Sequence, residues 1–312
     1  MELSILLLDQ IVSMVLMALA GFALGRMRLI TGEQSRVLSC ACVYLSMPCA
    51  MIASFSTTLD PEKLAGLGLG LAAGVLIHLL YLLLDRVFSH RPIAMTPEEQ
   101  ALVTYNNAGN LIMPMVRNIL GLEYVLYTSS YILVQNVLVW THGQKLMGGE
   151  QTLRWKKIVS NPVMIGIGIG LVLFVTGISL PAPIQTAVEG LSGCMAPLAM
   201  LVTGIVISEL DLKKAFLHSR IYLVSLVRLI VLPVLSAAVL LVLNRLFPIA
   251  DATNILTVSL LCAIGPSAST IVQMAQLYRN PNAGYVSSVN AMTTVLCAAT
   301  MPLITLLFQS ML

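Results

Sequence analysis

The residues best placed to do chemistry are polar ones lodged in apolar surroundings. The stretch Thr104-Tyr-Asn-Asn-Ala-Gly-Asn-Leu-Ile-Met-Pro-Met115 lies in an apolar segment of bilayer-crossing length, yet it carries three asparagines, a glycine and a proline between Asn106 and Pro114. Gly109 and Pro114 weaken a helix, and the freed backbone groups and Asn amides must then find partners inside the protein. A second interrupted segment, Leu261-Cys-Ala-Ile-Gly-Pro-Ser-Ala-Ser-Thr270, occurs at a comparable place in the second half of the chain. Broken segments at matching positions of two halves point to a transporter binding site.

Each break leaves a half-helix whose first N–H groups lack partners and carry about half a unit of positive charge. If the two breaks cross, both can face one spot, and that spot favours an anion. Its walls are expected from Asn106, Asn107, Asn110, Ser267, Ser269 and Thr270. Gly109, Pro114, Gly265 and Pro266 shape the breaks, and Ser267 is expected to cap the second half-helix. The plainer alternative is a pair of kinks that serve packing alone. The matching positions and the three asparagines favour a site.

Arg228 sits inside an apolar run, Ser225-Leu-Val-Arg-Leu-Ile-Val-Leu-Pro233. An ionisable group there is a functional candidate, a counter-charge for an anion. Snorkelling toward the end marked by Arg220 is the competing reading. His78 reads as a hydrogen-bonded packing residue or a proton carrier. Asp9 and Asp85 lie near segment ends and are expected at the interface. Gln135, Asn136 and Asn290 either line a cavity or hold helices together; Asn136 is kept as a candidate site residue. The fourth and ninth apolar segments contain no Asp or Glu, which weakens cation transport and carboxylate-based ion coupling. There is no HExxH, GxSxG or Walker loop, so intramembrane hydrolysis and ATP-driven transport have no support. The six cysteines have no metal-ligand spacing and read as small packing residues, so no metal or cofactor is expected.

These residues must be positioned by helices in a bilayer. The chain has 312 residues, is 58% hydrophobic and only 10% charged, against about 25% charged for a soluble domain. Its mean hydropathy is +0.91. The net charge of +3 is a matter of topology and implies no nucleic-acid partner. The first apolar run, Ile5 to Gly25, is too long for a signal-peptide core and reads as a spanning helix. About ten spans of near 20 residues can be placed. Numbering the gaps between them, the odd gaps hold Arg26, Arg28, Arg36, Arg86, Arg91, Lys145, Arg154, Lys156, Lys157, Lys213, Lys214, Arg220 and Arg279. The even gaps hold only Lys63, Arg117 and Arg245. The odd gaps are therefore expected in the cytoplasm and both termini outside.

The longest polar connection, His142 to Ser160, divides the chain into five-span sets, residues 1–150 and 151–312. Five is odd, so two like halves would be inverted repeats. Weak internal likeness agrees: Met47-Pro-Cys-Ala-Met51 resembles Ala196-Pro-Leu-Ala-Met200, and Leu59-Asp60 resembles Leu210-Asp211.

Four motifs together resemble the auxin efflux carrier family, which includes plant auxin exporters and bacterial carriers. They are Asn107 followed seven residues later by Pro114; Gln135-Asn136 shortly before Trp140-Thr141; Pro266 with Ala275 and Tyr278; and Met292-Thr-Thr-Val-Leu-Cys-Ala-Ala-Thr-Met-Pro302. The resemblance spans nearly the whole chain. It implies an all-α integral membrane protein of ten transmembrane helices in a five-plus-five inverted repeat, with spans four and nine broken and crossing. It also implies a scaffold of spans one, two, six and seven, the site of a homodimer interface, and an elevator-like transport domain of the other six. Asn107 and Pro114 match substrate-site and crossover positions, and Pro266 is the second crossover proline. The middle loop is short where plant members carry a long regulatory one. Asn106, Gly109 and Asn110 surround the motif differently, so the plant substrate is not carried over.

The expectation is a non-enzymatic secondary carrier of small organic anions, carboxylates or auxin-like aromatic acids, in a bacterial plasma membrane. Export is expected, because an inside-negative potential expels an anion at about 2.3 kcal/mol per charge per 100 mV. The alternatives are a sodium- or proton-coupled symporter of the bile-acid type and a membrane ligand sensor.

Overall fold

The computed structural model describes residues 2–56, 60–148, 159–209, 219–249 and 251–312. Arg154, Lys156, Lys157, Leu210, Asp211, Lys213 and Lys214, used above for topology and internal likeness, lie outside these ranges, as does Leu59.

Among the described residues the chain is helical, with one isolated β-bridge. The helices are α1 (Glu2–Arg26), α2 (Gly32–Phe55), α3 (Pro61–Phe88) and α4 (Pro97–Thr104). A π-helical turn, Ala108–Ile112, runs into α5 (Met113–Ile119), and α6 follows (Leu122–Leu138). After the central connection come α7 (Pro162–Thr176), α8 (Ala182–Glu209), α9 (Ser219–Leu246), α10 (Ala252–Ile264), α11 (Ser269–Leu277) and α12 (Ala283–Met311).

Five of these, α2, α3, α8, α9 and α12, have 24 to 29 residues and are apolar enough to cross a membrane. At about 1.5 Å per residue they exceed the roughly 30 Å hydrocarbon core. Shorter apolar helices, Val12–Arg26 within α1, α7 and α10, accompany them. Large apolar side chains point outward along α3 (Leu71, Val75, Leu79, Leu83) and α7 (Ile165, Ile169, Val172). Such continuous apolar faces suit lipid and not water.

Helix starts are written locally. Thr31 and Gln34 form a reciprocal capping box at α2, Asp60 accepts from the Lys63 amide at α3, and Thr96 and Glu99 form a second capping box at α4.

The helices pack in two sets. In one, α1 lies along α8, and α2 packs on α7 and α8; in the other, α10 sits among α3, α6 and α9, with α12 against α9 and α11. Small residues allow the closest approach: a Cβ on Gly204 would collide with the Ala18 carbonyl, and one on Gly21 with the Leu201 backbone.

Candidate functional site

The two interrupted segments meet. α4 ends at Thr104 and α10 ends at Ile264, and the helical path resumes only at Ala108 and Ser269. Between these limits the strands of chain run antiparallel, with Asn106 opposite Ser267. The Asn107 amide donates to the Pro266 carbonyl at 2.8 Å, and the Ala268 amide donates to the Tyr105 carbonyl at 3.0 Å. Backbone groups that cannot be left bare in hydrocarbon are thus satisfied by the other break. Pro266 faces no penalty here, since it has no N–H to lose.

Side chains complete the crossing. The Asn106 amide donates to Tyr131 Oη at 2.7 Å, and its Oδ1 accepts from the Ala108 amide at 3.1 Å. Gln135 of α6 donates to the Asn106 carbonyl at 2.9 Å and accepts from its amide at 3.4 Å, as a side-chain mimic of a strand. From α12, Asn290 donates to the Ser267 carbonyl at 2.6 Å, and Thr293 Oγ1 accepts from the Ser267 amide at 3.2 Å. The Ser267 hydroxyl donates to the Leu102 carbonyl at 2.8 Å. It therefore ties the two segments together and does not cap α11, as expected above, because that helix starts two residues later. Asn107 donates to Ser269 Oγ at 3.0 Å, linking the starts of the two second half-helices.

Arg228 differs from both sequence readings in its surroundings. It is completely buried, so it does not snorkel. Its Nε donates to the Gly265 carbonyl at 2.9 Å, Nη1 to the Val103 carbonyl at 2.9 Å, and Nη2 to the Gly265 carbonyl at 2.8 Å and to that of Ala263. Its guanidinium also lies 5.7 Å from the centre of the Tyr81 ring. One cation thus caps the carbonyl ends of both first half-helices, where the partial charge is negative.

The remaining predicted residues are distributed around this core. Ser269 and Thr270 are half-buried on the first turn of α11, and Gly109 faces the Met47 side chain of α2 so closely that a Cβ would displace it. Gly265 has room for a Cβ only 3.1 Å from Ile112. Of Asn110 only the backbone is described. Asn136 is half-buried one position past Gln135, without a side-chain hydrogen bond in the described structure. Pro114 lines a cavity of about 300 Å³ between α5, α1 and α8, together with Met17, Arg117, Met195 and Pro197. Arg117 donates to Ser192 Oγ there at 2.7 Å.

Two titratable residues sit near the crossing. His78 is buried, with Nδ1 2.7 Å from the Gly74 carbonyl and its ring 4.8 Å from that of Tyr131, in keeping with a packing residue. Asp85 is buried, with His142, from the turn after α6, covering it at 3.6 Å. Sequence reasoning assigns no role to Tyr131, Thr293 or Tyr105, although Tyr105 lies in the first broken stretch and Thr293 in the run ending at Pro302. For Tyr131 the signal is a hydroxyl on an otherwise apolar segment.

No curated protein matches the sequence. The membrane transport protein family matches it twice, over residues 6–154 and 151–305. These matches span almost the whole helical chain, both broken segments included. The chain belongs to the membrane transport protein family, the family of the auxin efflux carriers.

Proposed function

We propose that this membrane transporter is a secondary carrier that exports small organic anions, carboxylates or auxin-like aromatic acids, bound at the crossing. The observation that carries the reading is the division of charge. Arg228 neutralises the carbonyl ends of α4 and α10 through Val103, Ala263 and Gly265. Among the described residues, the side chains bonded at the amide ends beginning at Ala108 and Ser269 are the uncharged Asn106, Asn107 and Ser269. The unbalanced partial charge at the crossing is then positive, and a carboxylate is its natural complement. An anion at this place accepts from Asn107, Ser269, Thr270 and the first amides of both half-helices.

In this reading the chain makes ten crossings as two inverted five-helix repeats, with both termini outside the plasma membrane. The packing of α1, α2, α7 and α8 as one set supports a scaffold, which a second copy would extend to a homodimer. The set holding the crossing then moves against it as an elevator. Gly109 against Met47 is one of the sliding contacts.

The test is exchange of radiolabelled carboxylates by purified protein in liposomes, paired with thermal stability in detergent against organic acids, cations and neutral solutes. Exchange of a carboxylate that also stabilises the folded protein, both lost in Asn107→Ala, is the expected result. Stabilisation by sodium or by a neutral solute alone would overturn the anion reading.

A further inference from the structure

Outside the crossing, the structure holds a chain of titratable groups that the proposed binding site does not use. Asp85, near the end of α3, is buried with Oδ2 3.6 Å from His142 Nε2. Its other oxygen, Oδ1, is buried without a hydrogen bond. The opposite ring nitrogen, His142 Nδ1, lies 2.9 Å from Tyr105 Oη, and that hydroxyl is also 3.1 Å from the Leu138 carbonyl. Tyr105 is the first residue of the extended crossing, and its carbonyl accepts the Ala268 amide. The chain therefore runs from a carboxylate through an imidazole and a phenol to the backbone of the crossing.

The Tyr105–His142 hydrogen bond can run in either direction, and the two directions call for different protons. When Tyr105 donates to Leu138, its oxygen must accept from Nδ1–H. A neutral His142 then presents a bare Nε2 lone pair to Asp85. A carboxylate 3.6 Å from a lone pair is repelled by it, so this arrangement favours one proton bound by the pair, on Asp85 or on Nε2. If that proton leaves, the imidazole relieves the clash by moving its own proton to Nε2. Nδ1 then becomes an acceptor, and the Tyr105 hydroxyl turns from Leu138 to His142. One proton bound or lost is read as a change in the bonding of Tyr105.

We propose that Asp85 and His142 form a proton-binding site linked through Tyr105 to the crossing, so that occupation by a proton and by the carried anion are coupled. This rests on the carrier reading above. The other groups facing the pair are Tyr105 from the crossing and Lys145 from the turn after α6, whose charge acts on His142. Arg86 of α3, and His90 just beyond its end, are exposed. The carboxylates of neighbouring α4 are committed elsewhere, Glu99 to Arg220 and Glu98 to Asn282. His142 is the more exposed part of the site, with its side chain 30% exposed against 7% for Asp85. It lies in an odd gap, and protons would enter from that side.

Two measurements test this. The first is exchange of labelled malonate or indole acetate in liposomes as a function of pH, for the unmodified protein, Asp85→Asn, His142→Gln and Tyr105→Phe. Linkage to one proton gives exchange that changes by up to about tenfold per pH unit. The profile should flatten in Asp85→Asn and His142→Gln while exchange persists, and Tyr105→Phe should uncouple it with the pair intact. The second is the pH titration of the His142 ring by nitrogen NMR in detergent, assigned by its loss in His142→Gln. Its midpoint should fall in Asp85→Asn. An unchanged exchange profile in both variants, or a His142 titration indifferent to Asp85→Asn, overturns the proposal. If no carboxylate is exchanged, the carrier reading fails, and the ring titration alone decides whether the proton site exists.

Discussion

Asn107 donates to Ser269 Oγ at 3.0 Å, so the side chains that open the two second half-helices are bonded to each other across the crossing. Neither carries a charge, and each is also a free-standing donor or acceptor for a ligand that displaces the pair. Sign of charge can be tested here directly. Asn107→Asp keeps size and adds a negative charge at the amide ends. Carboxylate exchange should then be abolished, whereas Ser269→Ala should weaken it about tenfold, the loss of one hydrogen bond of roughly 1.5 kcal/mol. Faster cation flux in Asn107→Asp would reverse the assignment of substrate charge.

Arg228 is fully buried with three carbonyl partners at the crossing. Removing a buried partner costs the desolvation of each acceptor left behind, about 1–3 kcal/mol apiece. Arg228→Met should therefore destabilise the protein by at least about 3 kcal/mol. Arg228→Lys, which keeps the charge but lacks the fork, should recover only part of this. Unfolding in detergent, followed by fluorescence from the two tryptophans, gives the order: unmodified, Lys, Met. Equal stability of all three would mean that the crossing holds its shape without the guanidinium.

Glu99 joins three elements at the start of α4. Its carboxylate takes Arg220 Nε and Nη2 at 2.8 Å each, the Tyr285 hydroxyl at 2.7 Å and the Thr96 amide at 3.0 Å. Burial works against its charge, but the hydrogen bonds from Arg220, Tyr285 and Thr96 outweigh it and hold the carboxyl below its ordinary 4.5. A carboxyl lowered in the folded state contributes stability that is complete above the unfolded value and is lost as the pH falls through the folded one. Thermal stability should drop below pH 4.5 in the unmodified protein. Glu99→Gln should be less stable at pH 7, by about 1–3 kcal/mol, with a shallower acid decline. Parallel acid profiles would show that Glu99 is not among the groups responsible.

How much of this was legible in the sequence follows from what is local. Asn106, Gly109, Pro114, Gly265 and Pro266 announced the breaks, because no lipid-facing helix has use for them. That the breaks meet was an inference from their matching positions, and the backbone bonds from Asn107 to Pro266 and from Ala268 to Tyr105 supply it. Partners distant in sequence were not legible. From sequence Arg228 can face a ligand or the interface, since nothing local names the carbonyls of Val103 and Gly265 as its acceptors. For Asp85 the sequence shows only a position near a helix end, and the fold alone brings His142 over it. The place of Ser267 after Gly265-Pro266 suggests a cap, but the extended pairing runs past it.

The contact between α1 and α8, inside the first helix set, is the last point open to a decisive change. Gly204 of α8 faces the backbone of α1 at Ala18 and Phe22, where an added Cβ would overlap main-chain atoms that cannot turn away. In a bilayer, close packing of small residues is much of what holds such helices together, since lipid is as apolar as the partner. Gly204→Val must therefore push α1 off α8. The expected cost is about 1–3 kcal/mol of stability, and a cysteine pair placed on the facing surfaces of α1 and α8 should lose its crosslink. The crossing lies in the other helix set, bonded through Asn106, Ser267, Gln135 and Asn290. Binding of a carboxylate in detergent should thus outlast the loss of α1 packing, while exchange across the membrane, which needs a fixed scaffold to move against, should not. Loss of both together would mean that α1 and α8 shape the binding site itself.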